Sequence, residues 1–450
     1  MRQVDPLVCA PRQASTLLVR EVRVLDPRAH IDGAHDVLIR DGFIAEIAPA
    51  GTLPERDDQE TITGRGGLCV MPAFFDPHVH LRTPGQEHKE DLDSGTRAAA
   101  AGGFAGVIAM PNTDPVLDSA PLLRSLRDSA AREARVPVGF LPAVTRGLQG
   151  EQLTEMAELR QEGALGFTDD GRPVQSAGML RKALQYQRLC GGVISLHEED
   201  RTLSRGGSMH EGVVSASLGI TGIPTIAEST MVARDAAIAG YEDARVHFQH
   251  LSCAASVPAI EHAKSAGWRV SCEVSPHHLL LTDEEVRSMD TRMKMYPPLA
   301  GEPDRLALID GLRSGTIDCI ATDHAPHARD EKEVPFEQAP MGTTGLETSF
   351  AALHTGLVLT GVLDLGVLVH RLTEGAALFG LEPAMIATGR QADLVLVDLD
   401  ESWVAGEHGW ESRSENCCFA GRTLQGRVLL TVAAGGVAHR DPSLTPAETP

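Results

Sequence analysis

Short apolar runs alternate with amphipathic stretches through the middle of this chain, and that alternation narrows its fold more than any other feature. The runs that read as strands are Phe74–Val79, Ala105–Met110, Val138–Val144, Ala164–Thr168, Gly192–Leu196, Arg245–Gln249, Trp268–Val274 and Thr316–Ala321. Apolar residues at helical spacing fall between most of them, at Leu92–Ala101, Ala120–Ala131, Gln152–Glu162, Met179–Leu189, Ile226–Ala239 and Val257–Ala266. Two more such stretches follow the last strand, near Leu346–Leu359 and Leu365–Leu372. Eight strands alternating with helices predict an α/β fold, the (β/α)8 TIM barrel. Between the last two strands only a long excursion is read.

The ends of the chain follow a different rhythm. Leu17–Ala50 alternates apolar and polar residues, with turn signals at Asp32-Gly33 and Asp41-Gly42. Ala392–Asp398 and Gly426–Val437 look similar. We expect a small composite β-sandwich domain, built from residues 15–71 and 385–440, on the flank of a barrel spanning 72–384. Residues 1–14 and the Pro/Thr-rich tail after Asp441 read as disordered.

Composition removes several function classes. The formal net charge is -22, from 40 basic and 62 acidic residues. Nucleic acid and anionic membranes demand a positive surface, so neither is an expected partner. Eight cysteines occur without a Cys-x-x-Cys pair, which argues against a thiolate zinc cluster and fits reduced thiols in a cytoplasmic protein. The N-terminus lacks the apolar core of a signal peptide, and no apolar run approaches the ~20 residues of a membrane span.

Chemistry gathers at the carboxyl ends of the strands, where barrel enzymes place their sites. The first strand carries His78 and His80, whose i, i+2 spacing puts two imidazoles on one face. Arg82 follows at the same period. Asp170 follows the fourth strand, His197 the fifth, His250 the sixth and Asp323 the eighth. Four imidazoles and two carboxylates suffice for two divalent ions about 3.5–4 Å apart, sharing a bridging carboxylate. Asp323 could both ligate and take a proton. Arg82, Asn112 and His327 are available to grip a substrate carboxylate. His277 and His278 are rival ligands, read instead as structural or as supports behind the ligands. His247, His262 and His354 read as core or surface residues.

At this point the residues resemble a known family. Asp76-Pro77-His78-Val79-His80-Leu81-Arg82-Thr83-Pro84-Gly85 is similar to the opening motif of the dihydroorotases, in the amidohydrolase superfamily. Met110-Pro111-Asn112-Thr113, Glu273-Val274-Ser275-Pro276-His277-His278-Leu279, Ala321-Thr322-Asp323-His324-Ala325-Pro326-His327 and Gly345-Leu346-Glu347-Thr348 match as well. The resemblance runs from about residue 17 to 440 and looks like the class I bacterial type. It implies reversible cyclisation of N-carbamoyl-L-aspartate to (S)-dihydroorotate and water, in pyrimidine synthesis. It implies metal ligands at His78, His80, Asp170, His197, His250 and Asp323, with Asp170 bridging and Asp323 as general base and acid. Substrate contacts are implied at His80, Arg82, Asn112, Tyr296, His327, Met341 and Gly342. Two zinc ions per chain are the expected cofactor, although such ligands also accept Mn or Co. A homodimer is the expected assembly, and an aspartate carbamoyltransferase is the protein partner the resemblance suggests.

Two positions depart from relatives. Hydantoinases, allantoinases and other dihydroorotases carry a carboxylated lysine after the fourth-strand Phe. Here Phe167 is followed by Thr168-Asp169-Asp170, as in class I dihydroorotases. Tyr296 stands where the family commonly has a substrate-binding Asn. The rival functions are a hydantoinase- or allantoinase-like hydrolase, for which Arg82 has no anionic group to bind, and an inactive barrel partnering a carbamoyltransferase, which should have lost ligands.

Overall fold

Three parallel strands, Phe74–Val79, Phe104–Ala109 and Val138–Phe140, form one sheet. Five more, Gly166–Thr168, Val193–Leu196, Val246–Phe248, Val270–Val274 and Cys319–Ile320, form a second. These are the eight runs expected, most of them trimmed at their ends. The computed structural model describes residues 4–56, 59–64 and 66–444. Backbone bonds join the two sheets at both ends. Leu165 N donates to Phe140 O at 3.1 Å, and His80 N donates to His324 O at 2.9 Å. Spatial order therefore follows chain order, and the eighth strand comes back to the first.

Helices connect the strands as parallel pairing requires. Leu92–Ala101 begins with a capping box, in which Asp91 accepts from Ser94 N and Ser94 Oγ returns to Asp91 N. The excursion between the last two strands holds a short helix, Pro276–Leu280, two 3-10 segments, Asp283–Ser288 and Thr291–Met293, and the longer helix Glu302–Ser314. The signals of the longer helix were local: Pro303 near the start, and Gly315 at the end with φ +89°, a conformation glycine adopts without strain. Its apolar stripe is short, with Leu308, Ile309 and Leu312 buried but Leu306 exposed. Fully buried phenylalanines 74, 104, 140, 167 and 248 pack with helix residues such as Leu123, Leu180 and Val232 in the main core, and Phe74 stacks on Phe350 with centroids 5.4 Å apart.

The strands of the terminal segments are joined in one hydrogen-bonded eight-stranded sheet. Leu68–Pro72 is the reason. It pairs in parallel with Leu17–Asp26 and antiparallel with Leu394–Val404, fusing the N- and C-terminal strands. Leu394 and Leu396 join Leu17, Val19, Ile39 and Val432 in a core of their own. Val395 and Val397, on the other face, pack into the main core with Phe74. The period-two pattern of the sequence is what gives the sheet these two apolar faces.

Residues 5–14, expected to be disordered, are held in place. Val8 exchanges backbone bonds with Val138, and Arg12 donates to Ala433 O at 2.6 Å. The third strand's free backbone supplies partners that no local signal announces. Residues 1–3 and 445–450 lie outside the described residues, whereas Leu444 is buried. No helix among the described residues is long and apolar enough to cross a membrane.

Candidate active site

The six side chains from five strand ends meet at one buried point. Asp170 is the hub. Its Oδ1 lies 3.4 Å from His197 Nδ1, 3.6 Å from His78 Nε2 and 3.7 Å from His250 Nε2. Its Oδ2 lies 3.5 Å from His80 Nε2. Asp323 Oδ1 is 3.1 Å from His80 Nε2 and 3.4 Å from His78 Nε2. His197 Nδ1 and His250 Nε2 are 2.9 Å apart. Asp170 thus belongs to two donor sets, one with His78, His80 and Asp323, the other with His197 and His250.

These residues fit divalent cations. His78 Nε2 is buried with no hydrogen-bond partner, although it faces both carboxylates. A tetrahedral ion with bonds of roughly 2.0–2.1 Å separates its ligand atoms by roughly 3.3 Å. The carboxylate–imidazole spacings above, 3.1–3.7 Å, bracket that value. Burial works to raise Asp170, but His78 and bonds from His197 and His250 hold it well below the carboxylate range. Asp323 is likewise lowered, against burial, by His78 and His80. Burial depresses His197, yet Asp170 and Glu199 prevail and push it up to about 9. Both carboxylates are therefore anionic, as cation ligands must be.

Three non-glycine residues just past strand ends adopt left-handed backbone: Arg82 (φ +55°), His250 (φ +32°) and Asp323 (φ +48°). Such conformations cost about 1–3 kcal/mol each and persist where surrounding structure enforces them. They also correct the expected path of Arg82. The first strand ends at Val79, so Arg82 is aimed by a loop rather than by strand alternation.

Arg82 is buried, and its Nε donates to Pro326 O at 3.1 Å. Burial lowers it only to about 10, so it stays charged. Among the described residues no carboxylate is paired with its guanidinium. Asn112 accepts from His80 Nδ1 at 2.8 Å. His327 Nε2 donates to Met341 O at 2.9 Å. Burial, with Arg82 adding to it, pushes His327 down to about 2, so the ring is neutral. Gly342, at φ +138°, donates its N–H to Lys294 O, and a Cβ there would lie 2.8 Å from Ala325 Cβ. Tyr296 packs on His197, ring centroids 4.6 Å apart. His277 and His278 pack on each other outside the hub, and His278 Nε2 donates to Pro297 O. His247 bonds to Glu273, while His262 rests on Trp268 and His354 bonds to Gln425 O.

Sequence reading passed over the supports of this centre. Glu273 touches His78, and Lys294 and Lys332 hold the loops around Met341 through backbone carbonyls. For Glu273 a signal existed: a carboxylate inside the apolar strand Val270–Val274 is costly unless partnered.

Parallel α/β architecture with imidazoles and carboxylates gathered at strand ends defines an amidohydrolase-type hydrolase. Solved structures agree: the L-hydantoinase (dihydropyrimidinase) of Arthrobacter aurescens superposes with a TM-score of 0.84 at 26% identity, covering 95% of this chain and 96% of that one. Dihydropyrimidinase of Brevibacillus agri gives 0.81 at 23%, a likeness of fold, covering 94% and 95%. Residues 67–256 match the family model described as Dihydro-orotase-like. Proteins named dihydroorotase from Desulforapulum autotrophicum and from an Anaeromyxobacter species are each 44% identical, over 93% and 95% of this chain and 97% and 99% of their own. The chain belongs to the dihydroorotase family.

Proposed function

We propose that this enzyme closes N-carbamoyl-L-aspartate reversibly to (S)-dihydroorotate and water, within pyrimidine synthesis in the cytoplasm. In this reading the eight parallel strands form a (β/α)8 barrel over residues 72–384, flanked by the composite β-domain from 15–71 and 385–440. The observation that carries the proposal is a buried, charged Arg82, paired with no carboxylate among the described residues, beside an anionic, imidazole-rich centre. An anionic substrate supplies what Arg82 lacks.

His78, His80, Asp170, His197, His250 and Asp323 would hold two divalent cations, zinc being the expected metal, with Asp170 shared. When bound, such ions lower the pKa of water and polarise an amide carbonyl. Arg82 forks the substrate carboxylate, and Asn112 adds an amide donor. His327 reaches the substrate by exchanging the Met341 carbonyl for a substrate oxygen. His80, Tyr296 and the Met341-Gly342 backbone border the ring. In the hydrolytic direction Asp323 takes the proton of the attacking water and returns it to the leaving ring nitrogen. In ring closure Asp323 takes the proton of the carbamoyl nitrogen and returns it to the departing hydroxyl.

A hydantoinase activity is the second reading, favoured by the solved neighbours. Turnover of carbamoyl aspartate, dihydroorotate, hydantoin and allantoin, with metal content measured on the same sample, separates the two. Hydantoin turnover without dihydroorotate turnover would overturn the proposal. Less than one metal ion per active chain would overturn the two-ion centre.

A further inference from the structure

We propose that Glu273, on a strand that supplies none of the six converging side chains, is a positioning residue for two of them, His78 and His250. The inference rests on reading the hub as a cation centre. Glu273 is buried, 1% exposed, and both of its oxygens are engaged. Oε1 lies 2.6 Å from His78 Nδ1 and 3.3 Å from the backbone N of His250. Oε2 lies 2.9 Å from His247 Nε2.

An ionised carboxylate only accepts, so each imidazole nitrogen facing it carries the proton. His78 is then the Nδ1–H tautomer, and its Nε2 lone pair faces Asp170 and Asp323. The Gln249 amide nitrogen lies 3.2 Å from the same Nδ1, but two N–H donors cannot share a bond, so this is a packing contact. His247 spends its Nε2 proton on Glu273 and accepts at Nδ1 from Ser271 Oγ, 2.9 Å away. That imidazole fixes the outer oxygen and, through it, the inner one. The bond to His250 N supports a backbone held at φ +32°. A carboxylate behind a ligating imidazole fixes both tautomer and ring orientation.

Glu273 also lies with His247 and Cys319 in a group compact enough to hold an ion. Both carboxylate oxygens already accept from N–H groups, so the group is a support and not a second centre.

The test is zinc affinity of the apo-protein, by competition with a chromophoric chelator, for the parent and Glu273→Gln. The variant's apo Tm serves as the fold control. A glutamine can accept from one histidine but not from both, so zinc should bind about 10–100-fold more weakly. Affinity within twofold of the parent overturns the proposal. The 15N shifts of His78 in the zinc-loaded parent should show the proton on Nδ1, and a proton-free Nδ1 overturns it equally. If Glu273→Gln does not fold, His247→Gln carries the test, with weaker zinc binding expected and parent-like affinity as the contrary result. A parent that binds no zinc removes the cation reading and this one together, whereas a zinc-binding parent with an unaffected Glu273→Gln removes only the role of Glu273.

Discussion

The side-chain oxygen of Asn112 accepts the Nδ1 proton of His80 at 2.8 Å. The same amide turns its nitrogen toward Asp170 Oδ2, 3.4 Å away. Asn112, three residues past the second strand, thus orients a side chain just past the first and one that follows the fourth. Asn112→Ala removes both contacts and should lower kcat/KM about 10–100-fold with partial loss of zinc. Asn112→Asp keeps the acceptor for His80, so zinc content should stay closer to the parent while KM rises. Equal zinc loss in both variants would contradict an orienting role.

Arg82 separates the two functional readings. A charged hydrogen bond contributes about 1.5–3 kcal/mol, so Arg82→Met should lower kcat/KM for dihydroorotate by roughly 10–150-fold. Any side activity on uncharged hydantoin should change little. Parallel kinetics on the two substrates check this, and equal losses on both would mean that Arg82 shapes the pocket instead of reading charge.

Asp323→Asn keeps an oxygen near His80 but loses the base. The variant should retain bound metal and lose about 10²–10⁴-fold in kcat, in both directions of the reaction. Metal analysis beside forward and reverse assays tests it, and substantial turnover would refute the proton-transfer role.

Lys332 links stability to pH. Its ammonium is buried and donates to Pro340 O at 2.8 Å, Thr291 O at 3.0 Å and Lys294 O at 3.4 Å. Burial, with Lys294 adding to it, pushes Lys332 down to about 7. In the unfolded chain a lysine titrates near about 10.4. Between these values only the unfolded state binds the proton, so this residue makes stability rise with pH across that window; below pH 7 both states are charged and its effect is flat. Urea midpoints at pH 7 and pH 9.5 should differ less in Lys332→Met than in the parent. An unchanged pH slope in the variant would rule the linkage out.

Local signals explain what was readable in the sequence. The helix Leu92–Ala101 keeps its expected limits because Asp91 and Ser94 cap it and apolar spacing runs to its end. His78, His80, Asp170, His197, His250 and Asp323 stood out because each follows or ends an apolar run. The supports did not, because their partners are distant or are backbone. His78 and Glu273 are 195 residues apart, and no spacing rule joins them. Lys294 donates to the carbonyls of Phe336 and Glu337, which any side chains there would offer. Residues 5–14 carry no strand pattern, and their order comes from an edge presented by Val138. The single terminal sheet likewise depends on which edges of Leu68–Pro72 are free, a property of the assembled fold.

Leu68–Pro72 has one further consequence, in time. Its partner Leu17–Asp26 precedes it, but its other partner, Leu394–Val404, emerges from the ribosome only after the strands of the central fold. At roughly 5–20 residues per second, that edge stays unpaired for roughly 15–65 s of synthesis. An open strand edge made of Leu68, Cys69, Val70 and Met71 is an adhesive surface on a nascent chain. A chain cut before Leu394 should therefore leave this edge open and aggregate more readily than one that carries Leu394–Val404.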